Sequence, residues 1–323
     1  MTGFYAPMAG AAMNLYPGFQ LGHYLVEKLL HQDGMEEVYR ARDTRIDRHV
    51  LLNLAQSPIG SDHFARFMQK WRTGALFCHP NVLAVYDFGW HEGRPFMVSE
   101  LLEGETLRTL VAARILVPAT AARLAMQIAD GLNAAHRVGI VHGDLRPEHV
   151  FITPRGDVKI LNFSPARYFG ETFELVQQDG RGSTTRAIPI ASVAYMSPEQ
   201  ANAGPIDMRT DIFSLGVILF EMVTGVAPFR RNSPIETLHA IIEDDLPELP
   251  IDDPGVSQVV DRVVRRCVEK DPAERFQSSL GLLFKLELLL PSLRSAEETR
   301  DRFRAPEEVM ARVRGLFGSR DSN

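Results

Sequence analysis

The stretch Ile140–Asn162 constrains this chain more than any other. Two short β-branched and aliphatic runs, Val150–Ile152 and Val158–Leu161, flank a Pro-Arg-Gly-Asp turn, so the segment predicts a β-hairpin. A polar loop leads into the hairpin and presents Asp144. Such a short hairpin cannot bury its own apolar face, so a larger body must surround it.

The chain has that body. Its 323 residues are 45% hydrophobic, enough for roughly two packed units of ~150 residues each. A net charge of −6 argues against a nucleic-acid binder or an anionic-membrane binder, since neither ligand is attracted to a mildly acidic surface. Cys78 and Cys267 stand far apart with no CxxC spacing, which fits a reducing compartment. No run of 18 apolar residues occurs and the first 22 residues carry no Lys or Arg, so the reading is a soluble, cytoplasmic protein with no membrane insertion.

Along the chain, residues 1–23 form an N-terminal arm without period. Tyr24–Leu30, Val38–Asp43 and His49–Leu54 predict an antiparallel meander. A helix is expected over 62–77, ended by a His79-Pro80-Asn81 turn, and strands over Val82–Phe88 and Pro95–Glu100. Helices dominate thereafter. Leu124, Ile128, Leu132 and Ala135 mark one amphipathic face, and Asp211–Val223 is apolar nearly all round, as a buried helix requires. Two more helices are expected over Val256–Val268 and Ser278–Leu290. The tail 291–323 is rich in Arg and Glu with Val309, Val313, Leu316 and Phe317 at helical spacing.

The loop sequence His142-Gly143-Asp144-Leu145-Arg146, with His149, then Asn162-Phe163-Ser164, resembles the catalytic and magnesium loops of the protein kinase family. Glu37-Val38-Tyr39-Arg40-Ala41-Arg42-Asp43, Glu103-Gly104-Glu105-Thr106-Leu107 and Ala194-Tyr195-Met196-Ser197-Pro198-Glu199-Gln200 are similar to bacterial serine/threonine kinases. The resemblance implies an α+β, bilobal fold over 24–290. A five-stranded antiparallel small lobe with one main helix would occupy 24–101, and a mostly helical lobe 102–290.

By the same resemblance Asp144 stands at the catalytic base and Arg146 replaces the usual Lys beside it. Glu199 lies in the A-P-E-like motif with Arg275 as its partner, and Asp211 holds the backbone of the catalytic loop. Gly143 replaces the Arg before the base, so a phosphate on the activation segment would lose its clamp, and Ser183-Thr184-Thr185 reads as a plain polar loop. His142 is expected to pack beneath Phe163.

The nucleotide machinery departs from the family. The glycine-rich positions hold His31, Asp33 and Glu36, just before Val38. Each carboxylate ~8 Å from a phosphate charge would cost roughly 2 kcal/mol at an effective dielectric of ~20. The phosphate-binding lysine is Asn53 and its helical Glu partner is Lys70. The magnesium ligands become His149 and Asn162, a set without the carboxylate that magnesium prefers. Leu51 and Phe151 are bulky at the roof and floor of the adenine slot, where they are expected to fill it. Ser99, Glu100 and Leu101 stand at the gatekeeper and hinge. These departures point to a pseudokinase acting as a signalling scaffold or regulatory binding module with no cofactor. An atypical active kinase using ATP and Mg²⁺, or a non-catalytic nucleotide sensor, is the alternative. The protein partner is not named by the sequence.

Overall fold

The computed structural model describes residues 15–32, 36–55, 78–113, 115–163, 193–249 and 254–295. The expectations for Asp33, Lys70, the helix over 62–77, the Ser183-Thr184-Thr185 loop and the tail beyond 295 lie outside these residues. The chain divides into two units, 1–78 with 83–103, and 79–82 with 104–323.

The first unit is an antiparallel sheet of β1 (Gln20–Leu21), β2 (Tyr24–Gln32), β3 (Glu36–Asp43), β4 (Arg48–Ala55), β5 (Val85–His91) and β6 (Arg94–Glu100), in the order β1-β2-β3-β4-β6-β5. It has six strands rather than five. The extra one is the two-residue β1, which pairs Gln20 with Leu25 and Leu21 with Tyr24, folding the end of the arm against β2. Leu15 and Leu21 are buried with Tyr24, Val26, Tyr39, Ala41, Val50, Leu52, Leu54 and Val98. Alternation along β4 explains the face: Val50, Leu52 and Leu54 point into this core while Leu51 and Asn53 point the other way.

The strand expected over Val82–Phe88 begins only at Val85. Asn81 and Val82 are drawn instead to the second unit, where the Ile160 amide donates to the Asn81 carbonyl at 2.8 Å and Val82 bridges Ile160.

The second unit contains β7 (Glu105–Thr106), α1 (Leu107–Ala113), α2 (Pro118–His136), a 3-10 turn Pro147–His149, β8 (Val150–Ile152) and β9 (Val158–Ile160). It continues through α3 (Pro198–Ala201), α4 (Met208–Thr224), α5 (Pro234–Glu243), α6 (Pro254–Cys267) and α7, residues 279–295. Helix α4 is buried from Thr210 to Val223, starts on the Asp207 side chain, which accepts from the Arg209 amide at 2.8 Å, and ends at Gly225 with φ +83°. Helix α7 runs past Leu290 to residue 295. Among the described residues no helix is long and apolar enough to cross a membrane.

Candidate functional site

The hairpin β8–β9 pairs Val150 with Ile160, Phe151 with Lys159 and Ile152 with Val158. Its turn is closed by the Gly156 amide on the Thr153 carbonyl, 2.8 Å, with Gly156 at φ +83°. Val150, Val158 and Ile160 face the core, so Phe151 is turned to the opposite, half-buried face. The Gln127 side chain accepts from the Val158 amide at 2.9 Å and donates to the Gly156 carbonyl at 3.0 Å, and Asn81 donates to Gln127 and to the Val158 carbonyl. β7 adds a third strand, so the hairpin is held on an edge as well as from below.

The loop before the hairpin is organised by Asp211. This fully buried carboxylate accepts the amides of His142 (2.7 Å) and Gly143 (2.8 Å) and the His136 ring Nε2–H (2.7 Å). Gly143 has φ +69°, and its carbonyl accepts from Gln200, whose other contacts close a capping box with Ser197 at the start of α3. His142 accepts the Asp144 amide at Nδ1 and donates from Nε2 to the Leu161 carbonyl at 2.8 Å, with its ring edge-on to Phe163 at 4.8 Å.

Asp144, Arg146 and His149 come together. His149 Nδ1 lies 2.7 Å from the Asp144 carbonyl, which can only accept, so Nδ1 carries the proton. Nε2 then accepts from the Arg146 guanidinium, whose Nε and Nη2 lie 3.4 and 3.3 Å away. The Asp144 carboxylate is 3.4 Å from His149 Nδ1 and 3.7 Å from Arg146 Nε. Burial pushes His149 down to about 4 against the pull of that carboxylate, so the ring is neutral at pH 7. Asn162 is not part of this group of contacts: it is exposed, with left-handed backbone at φ +58°, a conformation that asparagine tolerates.

Glu199 and Arg275 form a separate buried pair through two bonds of 2.8 Å, and Arg275 also donates to the carbonyls of Glu269, Arg209 and Lys270. Burial works to raise the Glu199 carboxyl, but its bonds from Arg275 and Thr210 hold it below the usual carboxylate range.

In the first unit, β2–β3 pairing sets His31 opposite Val38, and β4 sets Asn53 between Val38 and Met97 and Leu51 between Arg40 and Ser99. Asn53 Oδ1 is buried without a hydrogen-bond partner among the described residues. Ser99 is fully buried, Leu101 is half-buried, and the Glu100 carboxylate accepts from the Ala84 amide at 2.7 Å. Strand alternation leaves His31 and Glu36 exposed but sends Glu37 inward, where its carboxylate accepts from the Tyr39 hydroxyl at 2.7 Å and lies 3.6 Å from buried Arg94.

Arg94 was not legible as a partner for Glu37, and a second buried charge cluster was also missed. Arg108 donates to Glu148 at 2.9 Å, to Glu221 at 2.7 Å and to the Tyr195 hydroxyl, which itself donates to Glu221 at 2.6 Å. One signal existed: a carboxylate within the apolar run Asp211–Val223 has to find a cation.

The protein kinase domain family model matches residues 34–282. The chain belongs to that family. This kinase domain is 33% identical over 277 residues to a probable serine/threonine-protein kinase of Streptomyces coelicolor, covering 83% of this chain and 40% of that protein. It is 32% identical over 303 residues to the serine/threonine-protein kinase PknL of Mycobacterium tuberculosis, covering 92% and 72%, and 32% identical over 272 residues to PknB of the same species, covering 81% and 42%. The kinase domain therefore spans less than half of two of these relatives. In fold it matches the crystal structure of the M. tuberculosis PknI kinase domain, with a TM-score of 0.64 and 21% identity over 85% of this chain and 99% of that one. It is a homologue of bacterial serine/threonine kinases with a sheet lobe and a helical lobe.

Proposed function

We propose that this kinase domain is a pseudokinase, a signalling scaffold or regulatory binding module that works through its surface. The observation that carries the reading is the Asp144–Arg146–His149 cluster. His149 stands where the family resemblance implies a magnesium ligand, and both of its ring nitrogens are already used, one on a carbonyl and the other on a guanidinium. A divalent cation at Nε2 would have to displace Arg146, a cation, and magnesium prefers hard oxygen donors. The other position of the pair, Asn162, offers an amide on an exposed residue. These residues do not fit Mg²⁺.

Asn53 supports the same reading. A neutral amide replaces the cation that the family aims at phosphate, so position 53 brings no positive charge to hold an anion. The exposed Glu36 carboxylate adds repulsion. The free thiols, Cys78 and Cys267, are consistent with a reducing, cytoplasmic setting.

The second reading is an atypical kinase with Asp144 as base, and the specific feature in its favour is the loop frame around Asp211, which still fixes the backbone on either side of His142. Thermal unfolding with ATP, with and without Mg²⁺ or Mn²⁺, followed by a phosphate-transfer assay on a generic acceptor, separates the readings. A ligand at 100 times its Kd adds about 2.7 kcal/mol. No shift in any condition is the expected result. A shift without transfer would make the domain a nucleotide sensor. Transfer that is lost in Asp144→Ala would overturn the scaffold reading.

A further inference from the structure

Helix α7 opens on two adjacent serines with different partners. The Ser278 hydroxyl accepts the Gly281 amide at 3.1 Å and caps the helix. The Ser279 hydroxyl turns inward, 1% exposed, and lies 3.1 Å from Nδ1 of His136, the last residue of α2. Nε2 of the same ring lies 2.7 Å from the Asp211 carboxylate in the first turn of α4. Three helices distant in sequence therefore meet in one line of hydrogen bonds, from Ser279 through His136 to Asp211. Asp211 carries the line on to the amides of His142 and Gly143, the two residues before Asp144.

The direction of each bond follows from what the groups can do. The Asp211 carboxylate takes N–H groups and gives none, so it requires a proton on His136 Nε2. A neutral imidazole carries one proton, which leaves Nδ1 as an acceptor and Ser279 as its donor. Serine, histidine and aspartate are also the residues of a nucleophilic triad, but a triad sets its serine on Nε2 and its aspartate on Nδ1. Here the order is reversed and the serine is removed from solvent, so the hydroxyl is placed to hold the ring and not to attack a substrate.

We infer that Ser279 is a positioning residue for the loop that presents Asp144, acting through the tautomer of His136. With the hydroxyl in place, the Nε2–H tautomer pairs every group along the line, and Asp211 keeps three donors. Without it, Nδ1 loses the donor that the structure gives it, that tautomer becomes costlier, and the hold of Nε2–H on Asp211 weakens. The His142 and Gly143 amides are then held by a less well compensated buried carboxylate, and the segment before Asp144 opens more readily. This coupling belongs to the loop frame. It is the same with Asp144 as a base or as a structural residue, so it does not depend on the pseudokinase reading.

NMR of the full chain near neutral pH tests the inference. The nitrogen chemical shifts of His136 should show a protonated Nε2 and a bare, hydrogen-bonded Nδ1. Ser279→Ala should move the Nδ1 signal away from its hydrogen-bonded position and speed amide exchange at His142 and Gly143 roughly tenfold, the effect of losing about one hydrogen bond. Ser279→Cys, which keeps a weaker donor in the same place, should fall between the two. Leu286→Ala trims a buried side chain two turns further along the same helix, and should lower global stability while leaving the ring signals and these two amides as they were. Two protonated ring nitrogens in the unaltered chain would overturn the inference, because an imidazolium donates to Ser279 and needs no proton from it. So would exchange at His142 and Gly143 that Ser279→Ala leaves unchanged, or that Leu286→Ala speeds as much.

Discussion

Arg275 and Glu199 face each other through two parallel hydrogen bonds of 2.8 Å, with the guanidinium entirely removed from solvent. They join the segment after α6 to the start of α3, 76 positions apart in the chain. A buried pair of this kind is costly to break singly, because the remaining charge has no water to turn to. Arg275→Met is therefore expected to lower stability by about 3–5 kcal/mol in urea unfolding. Arg275→Met with Glu199→Leu should lose less than Arg275→Met alone. A double variant as unstable as the sum of the two single ones would deny the coupling.

Protonation of His149 gives a pH dependence of definite sign. Its folded-state value of about 4 lies below the 6.5 of an unperturbed ring. Between those values the unfolded chain binds a proton that the folded chain refuses, so stability falls as pH drops from 6.5 towards 4 and the effect levels off below. The full difference is about 3 kcal/mol. His149→Gln should remove this component, whatever offset it adds, leaving a shallower fall in chemical-denaturation stability between pH 7 and 4. Parallel curves for the two proteins would mean that the ring protonates freely in the fold.

Two glycines in left-handed or more extreme backbone should respond differently to a methyl group. At Gly143, φ +69°, an added Cβ meets among the described residues only the end of the Ile206 side chain at 3.8 Å, so Gly143→Ala should cost mainly backbone strain, about 1–2 kcal/mol. At Gly104, φ +135°, the added carbon would run into the Ile152 carbonyl. Gly104→Ala should cost more than Gly143→Ala and loosen the β7–β8 pairing, seen as faster amide exchange at Thr106 and Ile152. The opposite ranking in thermal unfolding would contradict the geometry.

Periodic burial is what a sequence records well, and it was legible here in the Val150–Ile152 and Val158–Leu161 runs and in Asp211–Val223, apolar nearly all round. Pairing between distant segments is recorded poorly. Val82 reads as the start of a strand because its neighbours are apolar, yet the Asn81 carbonyl is taken by the Ile160 amide, a partner no local pattern names. The two-residue β1 is too short to show a period at all. At the loop before the hairpin, the resemblance to the kinase motif marked His149 as a departure from a metal ligand. That its two nitrogens bind Arg146 and the Asp144 carbonyl depends on side-chain geometry, and only the structure supplies it.

The Arg108 cluster carries the last expectation. Glu221 sits on the buried helix α4 and uses one oxygen for Arg108 and the other for the Tyr195 hydroxyl. Burial raises the ionisation point of that hydroxyl and the Glu221 charge raises it further, so the phenol stays protonated and donates. Tyr195→Phe deletes two hydrogen bonds, the one donated to Glu221 and the one accepted from Arg108, while Glu221 keeps Arg108, and should cost about 2 kcal/mol. Glu221→Ala leaves a half-buried guanidinium with Glu148 as its remaining carboxylate contact in the cluster, and should cost about 3 kcal/mol or more. Because both changes act on one network, the double variant should lose less than the two separate losses combined. Additive losses in a urea double-mutant cycle would show that Tyr195 and Glu221 act independently, and would remove the argument that α4 holds the Arg108 side chain in place.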